Sequence, residues 1–348
     1  MGLTVVIGGG IAGISVAAAL SSRGKDVAVY ETEPQLGTQS TGKNAAIFRL
    51  AVSDEVNVRL AQRSRELGAR LVPGGTVRST GALYLCDDDA RTRFLTAASS
   101  AGVRDATPTD FPDFLAPVDR RAVFSPYDGV IDVHALVQAL VKEARLGGAR
   151  FHLGTRVDRL ERTGGRCTGV VVAGETISAE CVIDATGAWT DHAAVRSTRR
   201  HLYVLDSPWA GSTRGIIWDT VEAIYLRPES GGLLVSPCDE VTFPATADVP
   251  VDSLEAQILF EKLSRWAPPL AQATVRRVWA GLRPITQDHR FIVGPDPKLP
   301  GLFRMGGFGG HGATAGAAAG EMAASMVCGD AHPDAHLLRP DRFENALQ

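Results

Sequence analysis

The chain has 348 residues, of which 45% are hydrophobic and 22% are charged, and its formal net charge is −3 at pH 7. This length exceeds the usual size of one domain and can bury a large core, so we expect two domains. The weak negative charge provides no basic surface for nucleic acid or an anionic membrane, and we expect neither as a partner.

The cysteines give no sign of a disulfide framework or a metal site. Their number is odd and their spacing lacks C-x-x-C, which is typical of reduced thiols in the cytoplasm. They are Cys86, Cys167, Cys181, Cys238 and Cys328. The first predicted strand begins too close to Met1 to leave room for a secretory leader, and no apolar run is long enough to span a bilayer.

The first predicted unit, residues 4–31, reads TVVIGGGIAGISVAAALSSRGKDVAVYE. A β-branched strand enters a G-x-G-x-x-G loop, an alanine-rich segment predicts a helix, and a second strand ends at Glu31. This motif uses such an acid for the ribose hydroxyls of an adenine dinucleotide. The alternative is a βαβ turn that binds nothing, and the agreement of strands, helix and acid disfavours it.

Each motif glycine has a physical task. Gly8 allows the tight turn, Gly10 lets the backbone approach a pyrophosphate, and Gly13 lets the helix pack closely on the strand. The pyrophosphate would lie at the helix N-terminus, where unpaired N–H groups bind anions without a lysine.

A polar, glycine-containing loop follows Glu31 before the sequence turns apolar and predicts a short helix. Its donors can lie along the dinucleotide, although an ordinary surface loop with a capping hydroxyl is the alternative. These donors are Ser40, Thr41, Lys43 and Asn44.

The middle of the chain mixes helical and strand patterns. Helices are predicted at 55–71, 91–102, 132–146 and 253–266, and strands at 76–85, 149–153, 166–172, 176–183 and from 275. An irregular connection is predicted at 107–128, and short strands with aromatic residues Trp209, Trp218 and Tyr225 at 199–250.

Two further segments can approach a flat or anionic ligand. The strand ending at Asp184 runs into a turn that contains Thr186 and Gly187. Near the C-terminus a strand enters the loop GGFGGHG, and a helix is predicted to begin near Ala313 or Thr314 and to point at the bound cofactor.

Four segments together resemble the D-amino-acid oxidase superfamily of FAD enzymes, in particular its glycine oxidase, sarcosine oxidase and D-arginine dehydrogenase branches. The resemblance covers nearly the whole chain. The least generic segments are STGKNAA at 40–46, YLRP at 225–228, AGLRP at 280–284 and GGFGGHG at 306–312.

The resemblance implies an α/β fold, with a Rossmann-type FAD-binding domain and an inserted mixed β-sheet substrate domain of α+β type. The FAD-binding domain would comprise 1–75, 130–198 and 281–348, and the substrate domain 76–129 and 199–280. It further implies FAD, an amino acid or amine substrate, and O2 or another electron acceptor. We expect the FAD to be non-covalent, because the cysteine that binds it covalently in sarcosine oxidases is missing here. The substrate would pass its Cα hydride to flavin N5 and leave an imine that hydrolyses.

The resemblance also assigns roles to single residues. Arg283 would grip the substrate carboxylate and Tyr225 would share it, because a guanidinium binds a carboxylate in a bidentate, planar manner. Arg49 and Arg200 are weaker candidates for the substrate site, and His311 is a candidate side chain at the pyrimidine edge of the flavin. The implied cofactor contacts are Gly8, Gly10, Ile11, Ala12, Gly13, Glu31, Ser40, Thr41, Lys43, Asn44, Ala45, Val157, Thr186, Gly187, Gly309, Gly310, His311, Gly312, Ala313 and Thr314.

The sequence also departs from its relatives. The cysteine that holds flavin covalently in sarcosine oxidases falls near Gly281, and Thr314 stands where those enzymes carry a lysine. The pocket histidine and tyrosine of D-arginine dehydrogenase fall on Ile47 and Val52, and its acidic specificity residue falls near Gly81. These departures argue against sarcosine and against a cationic D-amino acid.

Two other readings stay open from sequence. An NAD(P)H-dependent flavoprotein reductase or monooxygenase would need a nicotinamide site, and the sequence shows no clear one. A non-enzymatic flavin- or NAD-binding module would need no carboxylate pocket, and Tyr225 with Arg283 argues modestly against it.

Overall fold

A computed structural model describes residues 2–107, 110–116, 120–207 and 215–344. Within these ranges the helices are α1 (Ile11–Ser21), α2 (Glu55–Leu71), α3 (Asp88–Ala97), α4 (Val133–Leu146), α5 (Ser253–Trp266), α6 (Gly312–Val327) and α7 (Ala335–Leu338). The strands up to the middle of the chain are β1 (Thr4–Ile7), β2 (Val27–Tyr30), β3 (Ile47–Phe48), β4 (Val77–Ser79), β5 (Ala82–Cys86), β6 (Arg104–Asp105), β7 (Arg121–Ser125), β8 (Gly129–Ile131), β9 (Arg150–His152), β10 (Arg159–Thr163), β11 (Arg166–Val172), β12 (Glu175–Ser178) and β13 (Cys181–Asp184). The remaining strands are β14 (Val195–Asp206), β15 (Ile216–Asp219), β16 (Ile224–Glu229), β17 (Gly232–Ser236), β18 (Val241–Thr242), β19 (Thr274–Thr286), β20 (Ile292–Pro295) and β21 (Leu302–Gly306).

Six of the described strands form the sheet that the glycine motif enters. Their spatial order is β20-β21-β13-β1-β2-β9, and every neighbouring pair is parallel except β20 and β21. The carboxyl ends of β1, β2 and β13 therefore meet at one edge, which is where doubly wound sheets bind dinucleotides. The predicted Rossmann-type fold is confirmed.

Helix α1 is the centre of the larger core because small side chains let its neighbours approach closely. Ten of its eleven residues are buried. A Cβ on Gly320 of α6 would lie 2.5 Å from the Cβ of Ser15. The alanine- and glycine-rich sequence of α6 thus serves helix–helix packing. Among the described residues, no helix has the length and hydropathy needed to cross a membrane.

Nine of the described strands form a second, mixed sheet, which confirms the predicted mixed β-sheet region. Strands β5 and β15 pair in parallel, whereas the other pairs are antiparallel. Helix α5 packs Leu259, Leu263 and Trp266 against this sheet in a separate apolar core.

The two longest strands of the second sheet, β14 and β19, pair along their whole shared length. The register runs from Val195 opposite Thr286 to Asp206 opposite Thr274. These strands continue through 198/199 and 280/281, where the sequence placed domain boundaries. The division into two domains stays a prediction.

Several local predictions need correction. The strand predicted at 76–85 is two strands, because Gly81 has a positive φ of 78° and turns the chain between β4 and β5. The strand predicted at 176–183 is also two, since β12 pairs with β11 while β13 joins the parallel sheet. Helix α3 starts at Asp88, before the predicted residue 91, because the Asp87 carboxylate accepts the Ala90 N–H.

The segment predicted as irregular, 107–128, contains strand β7. Residues 108–109 and 117–119 of that segment lie outside the described residues, as does Trp209. Helices α2 and α5 have the predicted bounds. Helix α4 begins at Val133, one residue after the predicted start, because Asp132 caps it and accepts the Ala135 N–H.

Candidate active site

A cavity of about 520 Å³ lies at the carboxyl edge of the parallel sheet and extends to the mixed sheet. Most of the residues predicted from sequence line it. They are Gly8, Gly10, Ile11, Ala12, Glu31, Ser40, Thr41, Asn44, Ala45, Arg49, Val157, Thr186, Gly187, Tyr225, Arg283, Gly309, Gly310, Gly312 and Ala313.

The glycine motif has the shape that a dinucleotide requires. Gly8 has a φ of 106°, and a Cβ on Gly13 would lie 1.9 Å from the Gly8 carbonyl oxygen. In contrast, a Cβ on Gly10 would have only the Thr41 hydroxyl within 4 Å, at 3.4 Å. Gly13 therefore packs beneath the loop, while Gly10 leaves open space at the α1 N-terminus, which fits a pyrophosphate.

Polar groups beside this space are already oriented by the backbone. The Ile11 N–H donates to the Thr41 hydroxyl at 3.0 Å, and Gly10 caps α1 without a side chain. The two carboxylate oxygens of Glu31 accept the N–H groups of Gly9 and Glu33 at 2.6 and 2.8 Å. These bonds fix the Glu31 carboxylate at the cavity wall, where it has spare acceptor capacity for ribose hydroxyls.

A charged cluster holds the turn at Thr186 and Gly187. The Thr186 hydroxyl donates to Asp184 at 2.6 Å. Arg304 donates to Asp184 at 2.6 Å, to Asp296 at 2.7 Å and to Asp191 at 2.5 Å. Since Arg304 and Asp184 are largely buried, their pairing fixes the turn that lines the cavity.

Helix α6 begins at Gly312, one residue before the earlier of the two predicted starts, and its first turn faces the cavity. The Thr314 hydroxyl donates to the Ile47 carbonyl at 3.3 Å, and so ties α6 to the cavity wall. Desolvation lowers the pKa of His311 from 6.5 to about 3, and the positive charge of Arg49 acts in the same direction. His311 is therefore a neutral imidazole at physiological pH.

Arg283 on β19 and Tyr225 on β16 line the cavity on the side of the mixed sheet. Arg283 is 7% exposed, and its guanidinium donates to the carbonyls of Leu282 at 3.2 Å and Lys43 at 3.5 Å. No carboxylate of the described residues lies within 4.0 Å of it. Burial lowers the Arg283 pKa and raises the Tyr225 pKa, so the tyrosine keeps its proton and can donate it in a hydrogen bond.

Two more arginines line the same end of the cavity. The Arg49 guanidinium lies 4.1 Å from the ring centre of Trp218, and that ring lies 4.5 Å from the ring of Tyr225. Arg200 Nε donates a hydrogen bond to the Asp239 carbonyl at 2.6 Å. The sequence did not predict Trp218 as a site residue, because only the register of β15 and β16 places it opposite Tyr225.

Four predicted contacts do not line the cavity among the described residues: Gly13, Lys43, His311 and Thr314. The Lys43 side chain instead reaches the Ala247 carbonyl at 2.8 Å and Gln39 at 3.1 Å. Its own carbonyl braces Arg283, so it contributes through the backbone.

In the part of the chain that the structure describes, one group of side chains has residue types that can bind a metal: His201, Asp239 and Glu255. However, His201 Nε2 accepts the Asp252 N–H at 3.0 Å, so Nδ1 carries the proton and donates to Asp239 at 2.7 Å. Both ring nitrogens are thereby used. The group fixes the Asp239 loop that holds Arg200.

Comparisons with known proteins agree with this geometry. The chain is 27% identical to anaerobic glycerol-3-phosphate dehydrogenase subunit A1 of Haloferax volcanii over 81% of this chain and 53% of that protein. It is 26% identical to glycine oxidase of Geobacillus kaustophilus over 92% of each. The crystal structure of L-proline dehydrogenase from P. horikoshii matches with a TM-score of 0.88 and 25% identity, covering 99% of this chain and 98% of that one.

The chain spans about half the length of several curated relatives it matches, including 43% of the pyruvate dehydrogenase phosphatase regulatory subunit of Mus musculus. The predicted superfamily and its cofactor, FAD, are both confirmed by the match of residues 4–326 to one family. The protein belongs to the FAD dependent oxidoreductase family, DAO.

Proposed function

We propose that this protein is an FAD-dependent oxidase or dehydrogenase that oxidises the C–N bond of an amino acid or an N-substituted glycine. The observation that carries the proposal is Arg283, a buried cation at the cavity wall with no carboxylate partner among the described residues. A buried charge is costly unless it is paired, and a substrate carboxylate would pair it.

Different residues of the chain would bind the substrate and the cofactor in such a reaction. Arg283 holds the plane of the carboxylate, and the protonated Tyr225 hydroxyl donates a second hydrogen bond, so that the Cα–H is oriented. The Gly10 loop, Thr41, Glu31 and the turn at Thr186 would hold FAD. When bound, FAD supplies the acceptor for the Cα hydride.

The α6 N-terminus places its positive dipole end at the cavity and favours negative charge there. The oxidised substrate is an imine, which water hydrolyses to a keto acid and ammonia or an amine. No side-chain base is required, which agrees with the lowered pKa of His311, since an imidazole with a low pKa is a weak base. Two similar proteins, named glycine oxidase and L-proline dehydrogenase, have names that give amino acids as their substrates, and this supports the assignment.

We further propose a cytoplasmic location and O2 or another electron acceptor. The five cysteines, all in the described part of the chain, are free thiols, as expected in a reducing compartment.

The test is anaerobic addition of candidate substrates to the purified yellow protein, followed by the visible flavin absorbance. Bleaching by an amino acid or N-substituted glycine supports the proposal. Bleaching by NAD(P)H alone would instead identify a reductase or monooxygenase. A protein that stays yellow with every amine and bleaches only with dithionite would contradict the proposed activity.

A further inference from the structure

The substrate end of the cavity carries more positive charge than one carboxylate can neutralise. Of the four arginines that line the cavity in the described residues, three lie at this end: Arg49, Arg200 and Arg283. The fourth, Arg156, follows Thr155, whose N–H donates to the Glu31 carbonyl at the dinucleotide end. The acids that line the cavity in the described residues are Glu31 and Glu33, and both follow β2 at the dinucleotide end.

Arg49 lacks an ion-pair partner in the same way as Arg283. Its Nε is buried without a hydrogen bond, and Nη2 donates to the Ala51 carbonyl at 3.2 Å. No carboxylate of the described chain lies within 4.0 Å of its guanidinium.

Asp128 is a buried acid near Arg49: burial raises the pKa of its carboxyl, and the positive charge of Arg49 opposes that rise. Its carboxylate already accepts four donors: Tyr84 Oη at 2.6 Å, Ser125 Oγ at 2.7 Å, Leu50 N at 2.7 Å and Ala51 N at 3.4 Å. Asp128 thus orients the chain next to Arg49 without pairing with its guanidinium.

Arg200 is neutralised to a larger degree. It lies 3.5 Å from Glu240, which also pairs with Arg196 at 3.2 Å, and its Nε is bound to the Asp239 carbonyl. Two guanidinium groups, those of Arg283 and Arg49, therefore remain for ligand anions.

Arg49 is within reach of a small molecule that is bound at Tyr225. The Trp218 ring lies 4.1 Å from the Arg49 guanidinium and 4.5 Å from the Tyr225 ring, so Arg49 is separated from Tyr225 by no more than the sum of these distances. Tyr225 and Arg283 share the first carboxylate in the proposed function. A ligand at that anchor needs only a short chain to reach Arg49.

We propose that the substrate is an amino dicarboxylic acid, with one carboxylate on Arg283 and Tyr225 and the second on Arg49. This inference rests on the proposed function, since it takes the first anchor from it. Trp218 stacks on the Arg49 guanidinium, shields it from water and so strengthens its attraction for the second carboxylate.

The binding test uses the FAD-loaded protein and two unreactive ligands of nearly equal shape, succinate and its monoamide succinamate, titrated by calorimetry. We expect succinate to bind at least about tenfold more tightly. In Arg49→Gln the ratio should fall towards one, and Arg49→Lys should retain part of it. The matched control is Arg65→Gln, since Arg65 lies over the Tyr127 ring at 5.8 Å, outside the cavity, and should keep the full ratio.

The kinetic test compares kcat/KM for aspartate with asparagine and glutamate with glutamine, in both enantiomers, and N-carboxymethylglycine with N-ethylglycine. At least one dicarboxylate should exceed its neutral partner about tenfold or more, and Arg49→Gln should reduce that ratio. Equal binding of succinate and succinamate would overturn the second anchor and leave the proposed function intact. Absence of binding by both ligands, together with oxidation of amines that lack a carboxylate, would overturn both.

Discussion

Both terminal nitrogens of Arg283 lie 3.5 Å from the main-chain carbonyl oxygen of Lys43. The loop at 40–44, whose Thr41 hydroxyl accepts the first N–H of α1, therefore also braces the guanidinium that faces the substrate end. One loop thus sets the positions of both the dinucleotide end and the carboxylate anchor.

Replacing Arg283 with alanine should lower kcat/KM by roughly 30-fold to several thousand-fold, because loss of one partner of a buried charged pair costs about 2–5 kcal/mol. Arg283→Lys should recover only part, since a point charge cannot fix the carboxylate plane. Steady-state kinetics with the substrate that bleaches the flavin measure kcat/KM for both variants. The control is Arg276→Ala on the same strand, an exposed arginine that should leave kcat/KM and flavin content unchanged. Near-normal kcat/KM in Arg283→Ala would contradict the anchor.

A valine at Gly10 should abolish FAD binding and preserve the fold. Its branched methyl groups would fill the open space at the α1 N-terminus, whereas its Cβ meets nothing closer than the Thr41 hydroxyl at 3.4 Å. Absorbance gives the amount of flavin bound per protein, and circular dichroism shows whether the fold is preserved. Gly306→Ala is the control, because a Cβ there has no neighbour within 4 Å and the residue does not line the cavity. Full flavin content in Gly10→Val would refute the assignment.

Acid precipitation should release all the flavin into the supernatant. A Cβ on Gly281 would lie 2.9 Å from the Cβ of Lys43, and Gly281 does not line the cavity, so this position offers no attachment point for flavin. The measurement is flavin absorbance in supernatant and pellet. Colour retained in the denatured pellet would show a covalent bond.

The lowered pKa of His311 predicts a loss of stability on acidification. Between pH 6.5 and about 3 the unfolded chain binds a proton on this imidazole and the folded protein does not. The free energy of unfolding should therefore decrease as pH falls through that window, by at most about 1.4 kcal/mol per pH unit. Thermal denaturation of the wild type and His311→Gln at about pH 7.5 and about pH 5 measures it. The variant should lose less stability than the wild type, and equal losses would contradict the shift.

Arg304→Leu should lower the free energy of unfolding by about 3–5 kcal/mol, because it leaves the largely buried Asp184 and Asp296 without their cation. It should also weaken FAD binding, since Asp184 positions Thr186. Urea unfolding and flavin titration measure the two effects. Arg159→Leu, which removes an exposed pair with Glu161 at 3.8 Å, should cost less than about 1 kcal/mol. Equal effects of the two variants would rule out the proposed role of Arg304.

The sequence predicted best the features that contiguous residues encode. The motif from β1 to Glu31 depends on local backbone demands, such as a positive φ at Gly8 and the close approach of Gly13 to the Gly8 carbonyl. Helices α2 and α5 were likewise predicted with their bounds from their helical residue pattern, and the structure shows that an aspartate caps the start of each.

Features that depend on distant segments could not be read in this way. Trp218 faces Tyr225 only through the register of β15 and β16. The Lys43 ammonium binds the Ala247 carbonyl, a partner far along the chain that the local sequence does not indicate. The fold is also needed to show which arginines lack a carboxylate partner. Arg199 pairs with Asp252, whereas Arg49 and Arg283 pair with no acid of the described chain.

The long pairing of β14 with β19, which passes through both predicted domain boundaries, restricts how this protein can be engineered. Exchanging the substrate-binding half with that of a relative by cutting at 198/199 and 280/281 would join half-strands from different parents inside one hydrogen-bonded ladder. Chimeras should instead be joined outside the ladder, before Val195 and after Thr286, so that Arg200 and Arg283 travel with the strands that carry them.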